Sequence, residues 1–249
     1  MKGIVNSPEP IQDIQYFTRA TGIADVYLHK NAQEPVPGIE EGEGSQYTAE
    51  EVYFMVTAGK ATQEQITADF DYWYEKCADL PEGELADKYC LEEQRRRKYL
   101  EVSEACEKTI YAGVDVDIST GKEHFSLTEK DQINLFGKKM QLLAGEEKME
   151  YHEDGQPCRY FIPADMQKIV DTAMFYVSYN TTYCNALNMW IKAATKPSDL
   201  EAIYWGATIP EEHRNEVLLD YMEIMAGGMP AENKETTESG TNSGEGTTA

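Results

Sequence analysis

The sequence predicts an α+β fold in which small antiparallel β-hairpins combine with long α-helices as hairpin-plus-helix modules. Short segments of alternating apolar and polar residues are bounded by turn residues, and amphipathic segments with helix-capping signals follow them. These patterns divide the 249 residues into four predicted regions. The regions are a hairpin-plus-helix domain (1–80), a charged helical connector (81–111), a hairpin–helix–hairpin–long-helix domain (112–226) and a disordered, acidic and polar tail (227–249).

The first domain is predicted to contain two strands and a helix after an irregular, proline-containing arm. Residues 25–29 and 51–57 are typical of strands. The proline-rich and then acidic, glycine-rich segment 35–44 between them predicts a long, mobile hairpin loop. Residues 62–65 (Thr-Gln-Glu-Gln) match a capping box and predict a helix start. The residues that follow at helical spacing are Ile66, Phe70, Trp73 and Cys77.

The connector is predicted to be a solvated helix stabilised by ion pairs. Acidic residues precede basic ones at i,i+4 spacing, which stabilises an exposed helix. The pairs are Glu84/Lys88, Glu92/Arg96, Glu93/Arg97 and Glu104/Lys108. The basic run 95–98 lies among these glutamates, so the pattern favours a charged helical face over a basic binding patch.

The third domain is predicted to contain two hairpins, each followed by a helix. The predicted elements are strands 114–118 and 124–127, a helix from Thr128 to Gly145 with Ile133, Leu135, Phe136, Met140 and Leu143, strands 149–152 and 159–162, a helix from about Ala164 to Ala194, and two shorter helices that end near Gly206 and Met225. An offset of 35 residues aligns the two hairpin-plus-helix segments and pairs Leu127 with Ile162 as a weak internal repeat.

The long helix contains a stripe of mostly apolar residues at heptad positions a, d and e through about four heptads. Two interpretations stay open. The stripe packs on the hairpins and on the helix near residues 129–144, or it is a self-association or partner-helix surface in which Asn180 selects the register. The residues of the stripe are Met166, Ile169, Val170, Ala173, Tyr176, Val177, Asn180, Tyr183, Cys184, Leu187, Trp190 and Ile191.

The charge and the cysteine pattern exclude several classes of partner and location. Forty-five acidic and 22 basic residues give a formal net charge of −23. Nucleic acid and anionic membrane surfaces are therefore not expected partners. The five cysteines are odd in number and lack a CxxC pair, which is typical of a reducing compartment. Without an apolar leader or membrane-spanning window, the sequence predicts a soluble protein made in a cytoplasm.

No motif predicts catalysis, a metal site or a cofactor. Residues 115–119 resemble the start of a calcium loop, but Thr120 and Ser126 occupy the positions that require Gly and a bidentate carboxylate. The sequence contains no nucleophile elbow, Walker A loop or dinucleotide-binding glycine pattern. His124 and His152 are expected to be exposed strand residues. We therefore predict no catalytic residues, no metal ligands and no cofactor.

Several segments resemble proteins encoded by tailed bacteriophages and prophages. ADVYLHKN (24–31), AEEVYF (49–54) and ITADFD (66–71) are similar to small proteins of Gram-positive phages encoded beside tail-fibre or baseplate genes. FSLTEKDQINL (125–135) resembles an uncharacterised domain of phage tail-fibre regions. In that domain, as here, a hairpin precedes a long helix and a short helix with a tryptophan closes the pattern, LEAIYW (200–205).

The resemblance implies a non-enzymatic role in tail morphogenesis. The first hypothesis is a structural component of the distal tail, baseplate or fibre-attachment region, made in the host cytoplasm and retained in the virion tail. The second is a tail-fibre assembly chaperone that is absent from the mature virion. A cell-wall enzyme ranks last, because the acidic residues lie mainly on charge-paired helices and loops. The expected partners are other tail, baseplate or fibre proteins, with a homo-oligomer as a further possibility.

Overall fold

The computed structural model describes residues 2–34 and 46–227 of an α+β chain. The chain divides into two compact units, residues 1–100 with 191–204 and residues 101–190 with 205–249. These bounds do not coincide with the predicted domain boundaries at residues 80 and 111. The predicted loop 35–44 and the predicted tail, apart from Gly227, lie outside the described residues.

The first unit contains a four-stranded antiparallel sheet. Its strands are β1 (Lys2–Ser7), β2 (Ile14–Thr18), β3 (Ile23–Gln33) and β4 (Tyr47–Thr57), in the order β1-β4-β3-β2. The central strands β3 and β4 are the two predicted strands, each longer than its pattern indicated. The prediction of an irregular amino-terminal arm is wrong, because the arm forms both edge strands and pairs with β4 and β3.

Two short helices, α1 (Gln63–Ala68) and α2 (Phe70–Cys77), pack against this sheet. Thr62 and Gln65 form the predicted capping box. The predicted single helix is interrupted at Asp69, which has a non-helical backbone and accepts a hydrogen bond from the Ser198 backbone nitrogen at 2.9 Å. Trp73 stacks on Phe54 with ring centroids 5.7 Å apart, so α2 is fixed to the buried side of β4.

The predicted connector contains a short 3-10 helix (Ala86–Tyr89) and helix α3 (Leu91–Tyr111). The predicted ion pair of Lys88 with Glu84 forms at 2.8 Å. Glu92 pairs with Arg95 rather than with Arg96, and Arg95 also donates to the Ala194 carbonyl oxygen. Arg95, Arg96 and Arg97 thus pair with glutamates, as predicted, whereas Arg95 is half-buried on backbone oxygens and not solvated as expected.

The rest of the chain follows the predicted order of hairpins and helices. The elements are β5 (Val114–Ile118), β6 (Gly121–Phe125), α4 (Glu129–Leu143), β7 (Met149–Tyr151), β8 (Arg159–Phe161), α5 (Pro163–Ala193), short 3-10 helices at Pro197–Ala202 and Glu211–His213, and α6 (Glu216–Met225). The first strands of the two hairpins, β5 and β7, begin 35 residues apart, as the predicted repeat offset requires, whereas α4 and α5 begin 34 residues apart. At the helix offset, buried Leu127 corresponds to buried Phe161, while its predicted counterpart Ile162 is exposed.

The heptad stripe of α5 lies mostly inside the chain. Eight of its twelve residues are buried and the other four are half-buried. In the second unit it faces α3, where the Cys106 thiol lies 3.6 Å from the Asn180 carbonyl oxygen and the Tyr176 hydroxyl donates to the Thr109 carbonyl. This burial favours the interpretation in which the stripe packs within its own chain, and self-association through the stripe stays a prediction. A homo-oligomer through other residues stays a prediction.

Candidate protein-binding surface

Helix α4 has one buried side and one exposed apolar side. Leu135 is 2% exposed, whereas Ile133, Phe136, Met140 and Leu143 are 70%, 62%, 51% and 73% exposed. These four residues, which we call the α4 seam, occupy successive a and d positions of a heptad, the narrow stripe of a coiled-coil contact. The seam spans about 15 Å at the usual helical rise. The strict a/d spacing of these four residues is visible in the sequence, and it is narrower than the apolar stripe of a helix that packs on a core.

The helix that presents the seam is fixed by polar contacts at its start and at Lys138. Thr128 and Asp131 form a capping box at the predicted helix start. The Gln132 side-chain nitrogen donates to the Leu127 carbonyl oxygen at 2.8 Å. Farther along, the Lys138 ammonium pairs with Glu150 at 2.6 Å and ties α4 to the following hairpin. The seam therefore lies on an anchored element.

An apolar groove of about 210 Å³ continues the surface from α4 onto α5. Leu135 and Phe136 form part of its wall on α4, and Ala173 and Met174 form part of its wall on α5. Met174 is itself exposed, so the apolar area is wider than the seam alone. Exposed contiguous apolar surface of this kind marks sites of protein contact.

The charges beside the seam are basic, in contrast to the chain as a whole. Within α4, the heptad positions that flank the seam hold Lys130, Gln132, Gly137 and Lys139. None of them is acidic, although the formal net charge of the chain is −23. In coiled coils, residues at these positions select the partner through ion pairs. The seam therefore suits a partner helix with acidic flanks.

The residues considered for metal binding are engaged in structural contacts. Asp115, from the segment that resembles a calcium loop, pairs with His124 at 2.7 Å and with Lys122 at 3.2 Å. His152 follows β7 and stacks on Tyr151. Within residues 2–34 and 46–227, no group of three or more His, Cys, Asp or Glu side chains is placed to hold a metal ion.

No family model matches the chain, and neither does any curated protein or solved structure. Among the described helices, none combines the length and apolar character needed to cross a membrane.

Proposed function

We propose that this chain is a non-enzymatic bacteriophage tail protein of the distal tail, baseplate or fibre-attachment region, and that it acts by binding a neighbouring tail protein. The observation that supports this proposal is the α4 seam, four large apolar side chains exposed on an anchored helix. The resemblance of residues 24–31, 49–54, 66–71 and 125–135 to phage proteins supplies the tail context.

The occupant of the seam is an amphipathic helix of the neighbouring protein. The a/d spacing of Ile133, Phe136, Met140 and Leu143 matches knobs-into-holes packing over about two heptads. Lys130 and Lys139 beside the seam favour acidic residues at the flanking positions of that helix. A second copy of this chain is a poorer occupant, because two bodies with a formal charge of −23 repel one another.

The place of the protein in assembly is tested by mass spectrometry of gradient-purified particles and of the lysate that produced them. Peptides from residues 66–76 and 160–168 are expected in particles at a constant ratio to the major tail protein. Abundance in the lysate together with absence from particles would overturn the virion assignment. That result would support the alternative, a tail-fibre assembly chaperone that uses the seam transiently.

The seam is tested in the same particles with the double variant Ile133→Asp/Leu143→Asp, which changes its two most exposed residues. The matched control is Met189→Asp/Val217→Asp, which places the same two charges at exposed apolar positions elsewhere. Incorporation of the seam variant should fall about tenfold or more, as expected when charges enter an apolar interface, while the control is incorporated normally. Equal incorporation of both folded variants would overturn the seam as the interface.

The absence of enzymatic activity is tested separately with purified protein and host cell walls. Turbidity is expected to stay constant at high protein concentration, because the proposed role needs only binding. Clearing of the walls would contradict a purely structural role and would favour a cell-wall enzyme that uses acidic side chains.

A further inference from the structure

The second unit contains an aromatic-walled cavity of about 360 Å³, separate from the α4 seam. This volume lies in the range of small-molecule sites. Tyr179 and Tyr183 of α5 form one wall, Trp205 lies in the loop that follows, and Leu218 and Met222 of α6 contribute apolar surface. The remaining lining includes Asn180 and Arg214, the polar groups that give the cavity its chemistry.

The aromatic wall is held in place before any ligand binds. The Tyr183 hydroxyl donates to the Ala207 carbonyl oxygen at 2.7 Å and accepts from the Gly206 nitrogen at 3.0 Å. The Trp205 ring lies edge-on to the Tyr183 ring with centroids 5.1 Å apart. The Tyr179 ring stacks on the same Tyr183 ring with centroids 6.3 Å apart. Preformed walls reduce the conformational entropy that the protein loses when a ligand binds.

Arg214 brings a positive charge to this cavity. Its Nε donates to the Ile209 carbonyl oxygen at 2.7 Å, which orients the guanidinium. In the part of the chain that the structure describes, no carboxylate lies within ion-pairing distance of it, despite the excess of acidic residues. A half-buried guanidinium with free Nη donors matches the planar geometry of a carboxylate.

Asn180 supplies a hydrogen-bond acceptor at the same cavity. Asn180 is 5% exposed. Its side-chain Nδ2 donates to the Tyr176 carbonyl oxygen at 2.8 Å, so Oδ1 is the end of the amide that can accept a hydrogen bond from a ligand. No donor from residues 2–34 or 46–227 reaches Oδ1. This oxygen keeps access to solvent, and a ligand N–H would replace water as its hydrogen-bond donor.

We propose that this cavity binds an α-carboxylate with an adjacent amide N–H and an apolar side chain. The carboxylate pairs with Arg214, the N–H donates to Asn180 Oδ1, and the side chain packs against the wall formed by Trp205, Leu218 and Met222. An N-acyl amino acid and the carboxyl terminus of a peptide share this chemistry. Their common groups satisfy both polar residues and the apolar wall at once.

The test measures binding to the full chain by titration calorimetry, with the Trp205 indole signal followed by NMR. The probe is N-acetyl-leucine, and its amide, which lacks the carboxylate, should bind about tenfold more weakly or worse. The acetyl ester of the corresponding hydroxy acid, which lacks the N–H, should also bind several-fold more weakly. Equal affinities for all three compounds, or no binding of N-acetyl-leucine, would overturn the proposal.

Arg214→Gln should lower the affinity for N-acetyl-leucine about tenfold, since it removes the charge that pairs with the carboxylate. Arg97→Gln is the control, because it makes the same change on the exposed surface of α3. Equal losses in both variants would contradict a specific pair with Arg214.

A tripeptide with carboxyl-terminal leucine separates the two sources of the ligand. Tighter binding than that of the N-acyl amino acid supports a peptide terminus, and weaker binding supports a free small ligand.

Discussion

Ser119 holds both carboxylate oxygens of Asp165. The Ser119 backbone nitrogen donates to Oδ1 at 2.9 Å, and its hydroxyl donates to Oδ2 at 2.5 Å. Asp165 is buried in the first turn of α5, and Ser119 lies in the turn between β5 and β6. Burial raises the pKa of the Asp165 carboxyl, but the two Ser119 hydrogen bonds and the charges of Lys168 and Arg159 together outweigh it, so the pKa is lowered overall. The pair therefore ties the start of the long helix to the first hairpin.

Asp165→Ala should lower the free energy of unfolding by about 1–3 kcal/mol, because it leaves the Ser119 amide without an acceptor. Asp171→Ala, at an exposed position on the same helix, is the control and should change stability by less than about 0.5 kcal/mol. Urea unfolding of both variants measures the difference. Because the pKa is lowered on folding, the Asp165 contribution is present above the unfolded-state pKa and is lost as pH falls through the folded-state value.

Gly113 and Gly137 should respond oppositely to alanine. Gly113 has φ of +84°, and a Cβ there would lie 2.2 Å from the Phe125 carbonyl oxygen. Gly113→Ala should therefore destabilise the protein by about 1–3 kcal/mol. Gly137 lies within α4, and a Cβ there meets no atom within 4 Å, so Gly137→Ala should stabilise it by about 0.5–1 kcal/mol. The two urea midpoints, measured in parallel, should move in opposite directions, and a shared direction would contradict this account.

His124 should make stability depend on pH near neutrality. Its Nδ1 lies 2.7 Å from Asp115 and its Nε2 lies 2.8 Å from the Ala112 carbonyl oxygen, so both nitrogens donate when the ring is charged. The hydrogen bond to Asp115 raises the His124 pKa against a smaller opposing effect of burial. The resulting stabilisation is complete below the unfolded-state pKa of about 6.5 and is lost as pH rises through the higher folded-state value.

NMR titration of the His124 ring should therefore give a pKa above that of an unfolded peptide. The free-energy difference between the natural protein and His124→Gln should shrink as pH rises through the folded-state pKa. A ring that titrates at or below the unfolded value would show that the pair with Asp115 does not form in solution.

Leu187 and Met189 test whether the α5 stripe belongs to the core. Leu187 is fully buried and Met189 lies on the exposed side of the same helix. Leu187→Ala should cost about 2–5 kcal/mol of unfolding free energy, because it leaves a cavity, whereas Met189→Ala should cost far less. Light scattering on folded Leu187→Ala should give the molecular mass of the unchanged protein. A lower mass without a loss of stability would instead indicate a self-association surface.

Local signals explain the elements that the sequence predicted well. The Thr62 and Thr128 capping boxes depend on residues three positions apart, and the hairpin turns depend on neighbours along the chain. The alternating pattern of the two central strands reflects one buried and one more exposed face of the sheet. Such signals lie within a few residues of the element that they specify, so one sequence is enough to read them.

Long-range contacts explain what the sequence could not predict. β1 became a strand because β4, more than forty residues away, pairs with it, and Asp69 interrupts a helix while it binds the Ser198 nitrogen. Periodicity likewise identified the apolar faces of α4 and α5 without naming the segment that covers each. Packing leaves the α4 face uncovered, buries the α5 stripe and brings Asn180 to the same cavity as Arg214. An apolar helix face and the segment that packs on it are separate stretches of chain, and only folding brings them into contact.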